Sequence, residues 1–204
     1  MNIVDIEQPF LVIYFQNYYY FTQKSSHRCF ILIYMRIFLI GFMGCGKTTV
    51  GKRLSSKLGL KFLDLDQFVE EKYGKTVTEQ FSELGEQGFR ERERNAVVEV
   101  STMMDDVLVS TGGGAPCFYN NMDVMRENGI TIYLKMPPNA LASRLKGARK
   151  NRPLLQGKTY EELVDYITLT LNNREPFYDR ARIVVSALSI DVDGLVNRVY
   201  HIVK

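Results

Sequence analysis

The chain has 204 residues, of which 46% are hydrophobic and 24% are charged, and its formal net charge is +3. This length is sufficient for one well-buried core. The small net charge gives no indication of binding to nucleic acid or to a membrane surface. Nor does the sequence contain an apolar run of about 18 residues, the length needed to span a membrane. The three cysteines, Cys29, Cys45 and Cys117, are widely spaced, which predicts a reducing, cytoplasmic setting rather than a disulfide framework.

Residues 1–34 differ in composition from the rest of the chain. They are rich in aromatic residues, including the run Tyr18–Phe21, and they contain none of the chain's 15 glycines. The aromatic run has neither the period of a strand nor that of a helix. We therefore expect the functional domain to span residues 35–204, preceded by an extension at 1–34 that is either disordered or foreign to the natural protein.

A glycine-rich stretch with the pattern GxxxxGK[ST] runs from Gly41 to Thr48. It follows an apolar run at 36–40 and precedes a helical pattern that starts at Lys47. A strand, a glycine loop and a helix in this order predict a phosphate site, because loop N–H groups and the helix N-terminus both attract phosphate oxygens. Lys47 would reach the terminal phosphates, and the Thr48 hydroxyl would bind Mg²⁺.

From Met35 onwards, short apolar runs alternate with helical patterns, which predicts an α/β fold with a parallel sheet covered by helices on both faces. Thr76 and Glu79 have the spacing of a capping box. Ligands gather at the carboxyl ends of the strands in such sheets. The expected strands are 36–40, 60–63, 107–110, 130–134 and 183–186, and the clearest helices are 85–102, 159–173 and 193–203.

Asp64 and Asp66 follow the second expected strand, and they would face the same way in an extended segment. One carboxylate can hold Mg²⁺, directly or through water, and the other can take the proton of an acceptor hydroxyl. Alternatively, both only end the strand and cap a helix, with Asp66 as the cap of a helix that starts near Gln67. Their position one strand after the phosphate loop favours a functional role for at least one of them.

Glycines and arginines at three further places also have two interpretations. Gly112–Gly114, after the third strand, either bring main-chain N–H groups to a substrate or form a plain turn. Arg90 and Arg174, on helical segments, either bind a carboxylate with their guanidinium forks or lie on the surface. Glu93, three residues after Arg90, can pair with it on one helix face.

A basic connection and two phenylalanines complete the set of candidates. Residues 144–152 include five Lys and Arg, which suits either a mobile lid over phosphates or a solvated loop. We expect Phe81 and Phe89 to be core residues rather than substrate contacts.

Taken together, these motifs resemble shikimate kinase. The resemblance runs from Met35 to about Arg182, and it rests on the order and spacing of five elements. These elements are the phosphate loop through Gly51, Asp64-Leu-Asp66, Phe81 with Gly85-Glu-Gln-Gly-Phe-Arg90, Gly112–Gly114, and Arg152-Pro-Leu-Leu155 with Arg174-Glu-Pro-Phe-Tyr178. The resemblance implies a three-layer P-loop kinase fold with a five-stranded parallel sheet flanked by helices, a substrate-binding insertion and a lid at about 144–158.

The resemblance also implies an activity, which is transfer of phosphate from ATP, with Mg²⁺, to the 3-hydroxyl of shikimate on the way to chorismate and aromatic amino acids. It implies a monomer without nucleic-acid or membrane partners. The implied catalytic residues are Asp66 as base, Lys47 and Arg152, and the implied metal ligands are Thr48 and Asp64. Implied ATP contacts are Gly44, Cys45, Gly46, Lys47, Thr48, Thr49, Arg144 and Arg152. Implied shikimate contacts are Asp66, Phe81, Phe89, Arg90, Gly112, Gly113, Gly114 and Arg174, with Glu93 positioning Arg90.

Three other functions stay open on the sequence. Another small P-loop kinase, for gluconate or a nucleotide, is opposed by the paired arginines and by the spacing of Asp64 and Asp66. A second alternative is a nucleotide switch or regulatory protein that binds ATP or GTP without a small-molecule acceptor. A GTPase of this kind would need an N-K-x-D run after a later strand, and none occurs. An inactive binding module is opposed by the presence of every required group. Residues 187–193 lie where the family has an adenine-contacting loop, but they do not match that loop residue by residue. The preference for adenine is therefore less well defined than the catalytic residues.

Overall fold

The computed structural model describes residues 2–5, 10–15, 18–23, 31–146 and 157–203. Four strands precede Met35 and form a separate antiparallel sheet in the order β1-β2-β3-β4. Its strands are β1 (Asn2–Asp5), β2 (Phe10–Phe15), β3 (Tyr18–Gln23) and β4 (Ile31–Ile33). Where composition predicts a disordered or foreign extension, the structure has strands, the element that aromatic and β-branched residues favour. A domain boundary at Met35 stays a prediction.

The main sheet has five parallel strands in the order β6-β7-β5-β8-β9. The strands are β5 (Arg36–Ile40), β6 (Lys61–Asp64), β7 (Val107–Ser110), β8 (Ile130–Lys135) and β9 (Ile183–Ser186). The central strand β5 is fully buried from Ile37 to Ile40, as its continuous apolar run predicts for a strand covered on both faces. The predicted five-stranded parallel sheet is confirmed.

Seven helices flank the sheet in the described part of the chain. α1 packs against α7 and the strands β5–β7, α3 packs on α2 and α4, and α5 packs on α6. A short 3-10 turn at Ala115–Cys117 lies between β7 and α4. The helices are α1 (Lys47–Leu58), α2 (Leu65–Tyr73), α3 (Val77–Thr102), α4 (Asn121–Asn128), α5 (Pro138–Lys146), α6 (Tyr160–Tyr178) and α7 (Val192–Val203).

The starts of β6 and α3 differ from the sequence prediction for local reasons. β6 begins at Lys61 rather than Leu60, because the Leu60 N–H donates to the Ser55 carbonyl at 2.9 Å and closes the end of α1. α3 begins at Val77, where the predicted capping box of Thr76 and Glu79 is present. Gly85, the predicted start of this helix, is instead a break within it, with φ 69° and ψ −178°.

α6 continues to Tyr178, past the predicted end at residue 173, and Pro176 lies within its last turn. Of the predicted lid, residues 147–156 lie outside the described residues, and so does Arg152. None of the helices described here combines the length and the apolar character needed to cross a membrane.

Candidate active site

The phosphate loop joins the buried carboxyl end of β5 to the N-terminus of α1. Gly44 and Gly46 have φ values of 80° and 102°, in the left-handed region that glycine adopts without strain. Gly46 is the N-cap of α1, so its conformation turns the first N–H groups of the helix toward the loop. The N–H groups of the first helical turn and the helix dipole together make this loop an anion site.

Lys47 is buried at the base of the phosphate loop. Its ammonium group donates to the carbonyls of Gly41 at 2.8 Å and of Phe42 at 3.0 Å, which holds it directly beneath the loop. The neighbouring Cys45 side chain is also buried, and it belongs to the hydrophobic core. The Cys45 thiol is therefore packed within the core.

Two carboxylates and a hydroxyl lie beside the loop. The Thr48 hydroxyl donates to Asp64 Oδ2 at 3.3 Å, and Asp64 Oδ1 accepts a hydrogen bond from the Asp66 N–H at 3.2 Å. Asp64 is thus the N-cap of α2, so the alternative that assigned this cap to Asp66 is wrong. The strand ends at Asp64 and the helix begins at once, so the two carboxylates are not successive side chains of one extended segment.

The environment of Asp66 favours its protonated form. Burial and the neighbouring charge of Asp64 raise the pKa of the Asp66 carboxyl, while Lys47 and Arg90 act in the opposite direction. A carboxylate with a raised pKa holds a proton more strongly. Asp66 is therefore a better proton acceptor than an exposed aspartate.

The three glycines after β7 allow side chains of the site to approach the backbone closely. A Cβ at Gly112 would lie 2.8 Å from Asp66 Oδ1 and 2.9 Å from Glu93 Oε1. A Cβ at Gly114 would lie 2.7 Å from the Arg90 guanidinium. Close approach, rather than a positive φ, is what requires glycine at these two positions.

Arg90 and Glu93 form a buried ion pair on α3. Arg90 Nη1 donates to Glu93 Oε2 at 2.8 Å, and the side chains are 10% and 2% exposed. Burial raises the pKa of Glu93, and the Arg90 charge only partly offsets this effect. A second contact, at 3.3 Å, joins Arg90 to the more exposed Glu86. Arg90 is thus not a surface charge, and its guanidinium orientation is restricted.

Arg174 reaches the same region from α6, where its guanidinium lies 5.6 Å from the ring centroid of Phe42. One turn further along α6, the Tyr178 hydroxyl donates to the Gly113 carbonyl and ties this helix to the glycine backbone. Phe81 and Phe89, predicted to be core residues, stack on each other at a centroid distance of 4.3 Å. Phe89 is buried and Phe81 is partly buried, and both also border the cavity described next.

One cavity of about 570 Å³ brings together most of the predicted site residues, though not Cys45 or Arg144. From the prediction it contains Gly44, Gly46, Lys47, Thr48, Thr49, Asp64, Asp66, Phe81, Phe89, Arg90, Glu93, Gly112, Gly113, Gly114 and Arg174. It therefore places a phosphate loop, three carboxylates and two arginines around a single space. The core residue Cys45 is absent from its lining.

Arg144 lies on the other side of the phosphate loop. Its guanidinium donates to the carbonyls of Cys45 and Ala187, both at 3.3 Å, so it connects the loop to the turn before α7. This position borders the stretch at 187–193 that was expected to contact adenine.

Sequence reasoning missed several residues of this site. Met43, Val77, Ser110 and Thr111 also line the cavity, and Phe118 packs over Arg90 from the turn after the glycines. Cys117 lies in the same turn, where burial raises its pKa to about 11. Ser110 and Thr111 could have been included, because they occupy the carboxyl end of β7. No local sequence signal identifies Phe118.

Comparison with known proteins agrees with this geometry. The family model for shikimate kinase matches residues 43–203. The shikimate kinase of Bacteroides thetaiotaomicron is 50% identical over 153 residues, which are 75% of this chain and 87% of that protein. Its crystal structure covers 83% of this chain and 98% of its own, with a TM-score of 0.76 and 46% identity. The structure of shikimate kinase from Acinetobacter baumannii in complex with shikimate has a TM-score of 0.71 and 33% identity, and it covers 83% of this chain and 93% of its own. The chain belongs to the shikimate kinase family.

Proposed function

We propose that this chain transfers the γ-phosphoryl group of ATP to the 3-hydroxyl of shikimate, giving shikimate 3-phosphate and ADP in the pathway to chorismate and aromatic amino acids. The observation that carries this proposal is the single cavity in which a phosphate loop faces two arginines across Asp66. The loop suits a polyphosphate. The arginines favour an anionic acceptor over a neutral sugar.

The nucleotide end of the cavity would be formed by residues 44–49. Their main-chain N–H groups surround the phosphates, and Lys47 leaves its carbonyl partners to bind the transferring group. Arg144, between the loop and residue 187, would contact adenine. Arg152, from the lid, would stabilise negative charge on the transferring group, as mobile arginines do in phosphoryl transfer.

Thr48 and Asp64 fit a magnesium ion. A hydroxyl and a carboxylate oxygen 3.3 Å apart on the cavity wall supply the hard oxygen ligands that Mg²⁺ prefers, and phosphates and water would complete the set. When bound, the ion neutralises charge on the phosphate oxygens. Asp64 also caps α2, which fixes its carboxylate for this role.

The acceptor end would bind shikimate by its carboxylate and hydroxyl groups. Arg90 and Arg174 clamp the carboxylate, and Glu93 holds the Arg90 guanidinium in position through the 2.8 Å contact. Gly112–Gly114 contribute backbone contacts, while Phe81 and Phe89 pack near the ring. Asp66 hydrogen-bonds the acceptor hydroxyl and takes its proton as the phosphoryl group arrives.

An acceptor panel tests this proposal. ADP release from Mg·ATP would be measured with shikimate, gluconate and nucleoside monophosphates, using the wild type and the Lys47→Ala and Asp66→Asn variants. We expect stimulation by shikimate alone and a large loss of activity in both variants. Stimulation by gluconate instead would contradict the assignment of shikimate as the acceptor, and full activity in either variant would contradict the assigned mechanism.

The proposal also includes the oligomeric state and the cellular compartment of the protein. We propose that the active protein is a monomer. We also propose a cytoplasmic location, whose reducing environment keeps thiols such as those of Cys45 and Cys117 free. Light scattering on the purified chain tests the first property, and we expect the mass of one chain.

A further inference from the structure

Three aromatic rings surround the guanidinium of Arg90. The ring of Phe118 is much the nearest, with its centroid 4.1 Å from Arg90 Cζ, whereas those of Phe81 and Phe89 lie at 5.5 Å and 5.4 Å. All three distances fall within the range of a cation–π interaction, and 4.1 Å is close to direct contact. Arg90 Nε is buried without a hydrogen-bond partner, so ring contacts and Glu93 provide much of its restraint.

Phe118 differs from the other two rings in its origin. Phe81 and Phe89 belong to α3, the helix that carries Arg90, whereas Phe118 follows the 3-10 turn Ala115–Cys117. That turn continues directly from Gly112–Gly114. Phe118 is therefore the ring that joins Arg90 to the chain segment that begins with Gly112–Gly114.

The chain around Phe118 is held in a defined conformation. The side-chain amide of Asn121, itself fully buried, donates to the Ala115 carbonyl at 2.8 Å. Tyr119 has a φ of 52°, an uncommon value for a residue with a side chain. Backbone strain of this kind persists only where surrounding contacts require it. Here it reverses the chain immediately after Phe118, while the Tyr119 side chain is 54% exposed.

We propose that Phe118 is a positioning residue for the acceptor carboxylate, which acts by fixing the plane of the Arg90 guanidinium through a cation–π contact. This inference rests on the proposed function of Arg90. Phe118 does not itself line the cavity, so its effect on the acceptor passes through Arg90. A bidentate contact depends on the orientation of the guanidinium plane, and a tilted fork loses one of its two hydrogen bonds.

Loss of a positioning contact and loss of simple packing would change different measured quantities. Lost packing would lower stability and would affect both substrates. A lost cation–π contact would raise the KM for shikimate and leave the KM for ATP unchanged. We expect Phe118→Leu to raise the shikimate KM by about 3- to 30-fold, the range that cation–π contacts span from exposed to desolvated sites. We expect Phe118→Tyr, which retains the ring, to stay within about twofold of wild type.

Fluorinated phenylalanines at position 118 provide the sharpest test, because they weaken the ring's quadrupole while keeping its shape. Mono-, di- and trifluoro-phenylalanine would be incorporated in the full chain, and steady-state kinetics measured with each substrate. We expect the shikimate KM to rise stepwise with fluorine number while the melting temperature stays constant. A shikimate KM that does not change along the series would overturn the inference, even if Phe118→Leu fails to fold.

A double-mutant cycle with Arg90→Lys separates this inference from the proposed function. We expect Arg90→Lys to raise the shikimate KM and to reduce the further effect of Phe118→Leu to within about twofold. An equal effect of Phe118→Leu in both backgrounds would mean that it does not act through Arg90. If Arg90→Lys left the shikimate KM unchanged, the carboxylate clamp itself would be wrong. Tyr119→Leu, the same class of change at the exposed neighbour, should leave both KM values unchanged.

Discussion

Gly114→Ala should damage acceptor binding while leaving the fold intact. The added Cβ would lie 2.7 Å and 2.8 Å from the two terminal nitrogens of Arg90 and 2.9 Å from its Cζ. Ordinary van der Waals contact begins at 3.4 Å, so the nearest guanidinium nitrogen must move by about 0.7 Å. Arg90 cannot move freely, because Glu93 holds it at 2.8 Å and Phe118 lies over it.

The expected size of the effect follows from this displacement. A shift approaching 1 Å in a positioning group can cost about 10²-fold in rate. We therefore expect kcat/KM for shikimate to fall by about 10- to 100-fold, with little change in the KM for ATP. Gly114 has φ −87° and ψ −24°, which alanine adopts without strain. The melting temperature should accordingly change by only a few degrees.

The assay is initial-rate ADP release, with shikimate varied at saturating ATP and then ATP varied at saturating shikimate. Gly113→Ala is the matched control, because its Cβ would meet nothing nearer than the Met43 nitrogen at 3.3 Å, and its effect should be clearly smaller. An unchanged shikimate KM in Gly114→Ala, or an equal loss for ATP, would refute the reasoning about the clamp.

Three further predictions concern Asp66, Glu93 and the domain boundary. Asp66→Asn should lower kcat by about 10²- to 10⁴-fold, yet raise the melting temperature at neutral pH. The raised pKa of Asp66 means that its ionised form costs stability as pH rises, a cost that asparagine avoids, and calorimetry measures the difference. The pKa of Glu93 is raised above 4.5, so the shikimate KM should increase as pH falls through that raised value and Arg90 loses its partner. Glu93→Gln should abolish that pH dependence in KM profiles. A chain that starts at Met35 should fold and retain activity, and loss of either would place residues 1–34 within the functional domain.

The local parts of the site could be predicted from the sequence. The phosphate loop depends on consecutive residues between a strand and a helix, and the Arg90–Glu93 pair depends on helical spacing, so each is visible in a short stretch. The order of apolar runs likewise predicts the parallel sheet, because strand burial on both faces requires it.

Features that depend on tertiary contacts could not be predicted. The burial of Arg90 depends on Phe118, which is 28 positions away in sequence and reaches it only after the chain has crossed β7. Asp64 rather than Asp66 caps α2 because the strand ends at Asp64. Strand ends are the least certain part of a sequence prediction. The four strands before Met35 have no alternating pattern that would reveal them.

The most direct test of function is to identify the product. The full chain would be incubated with Mg·ATP and shikimate, and the product examined by phosphorus and proton NMR. We predict one new phosphate ester, coupled to the proton at carbon 3 of shikimate, formed in equal amount to ADP. Release of ADP with inorganic phosphate and no ester would contradict phosphoryl transfer, and an ester at another hydroxyl would contradict the placement of Asp66 beside the 3-hydroxyl.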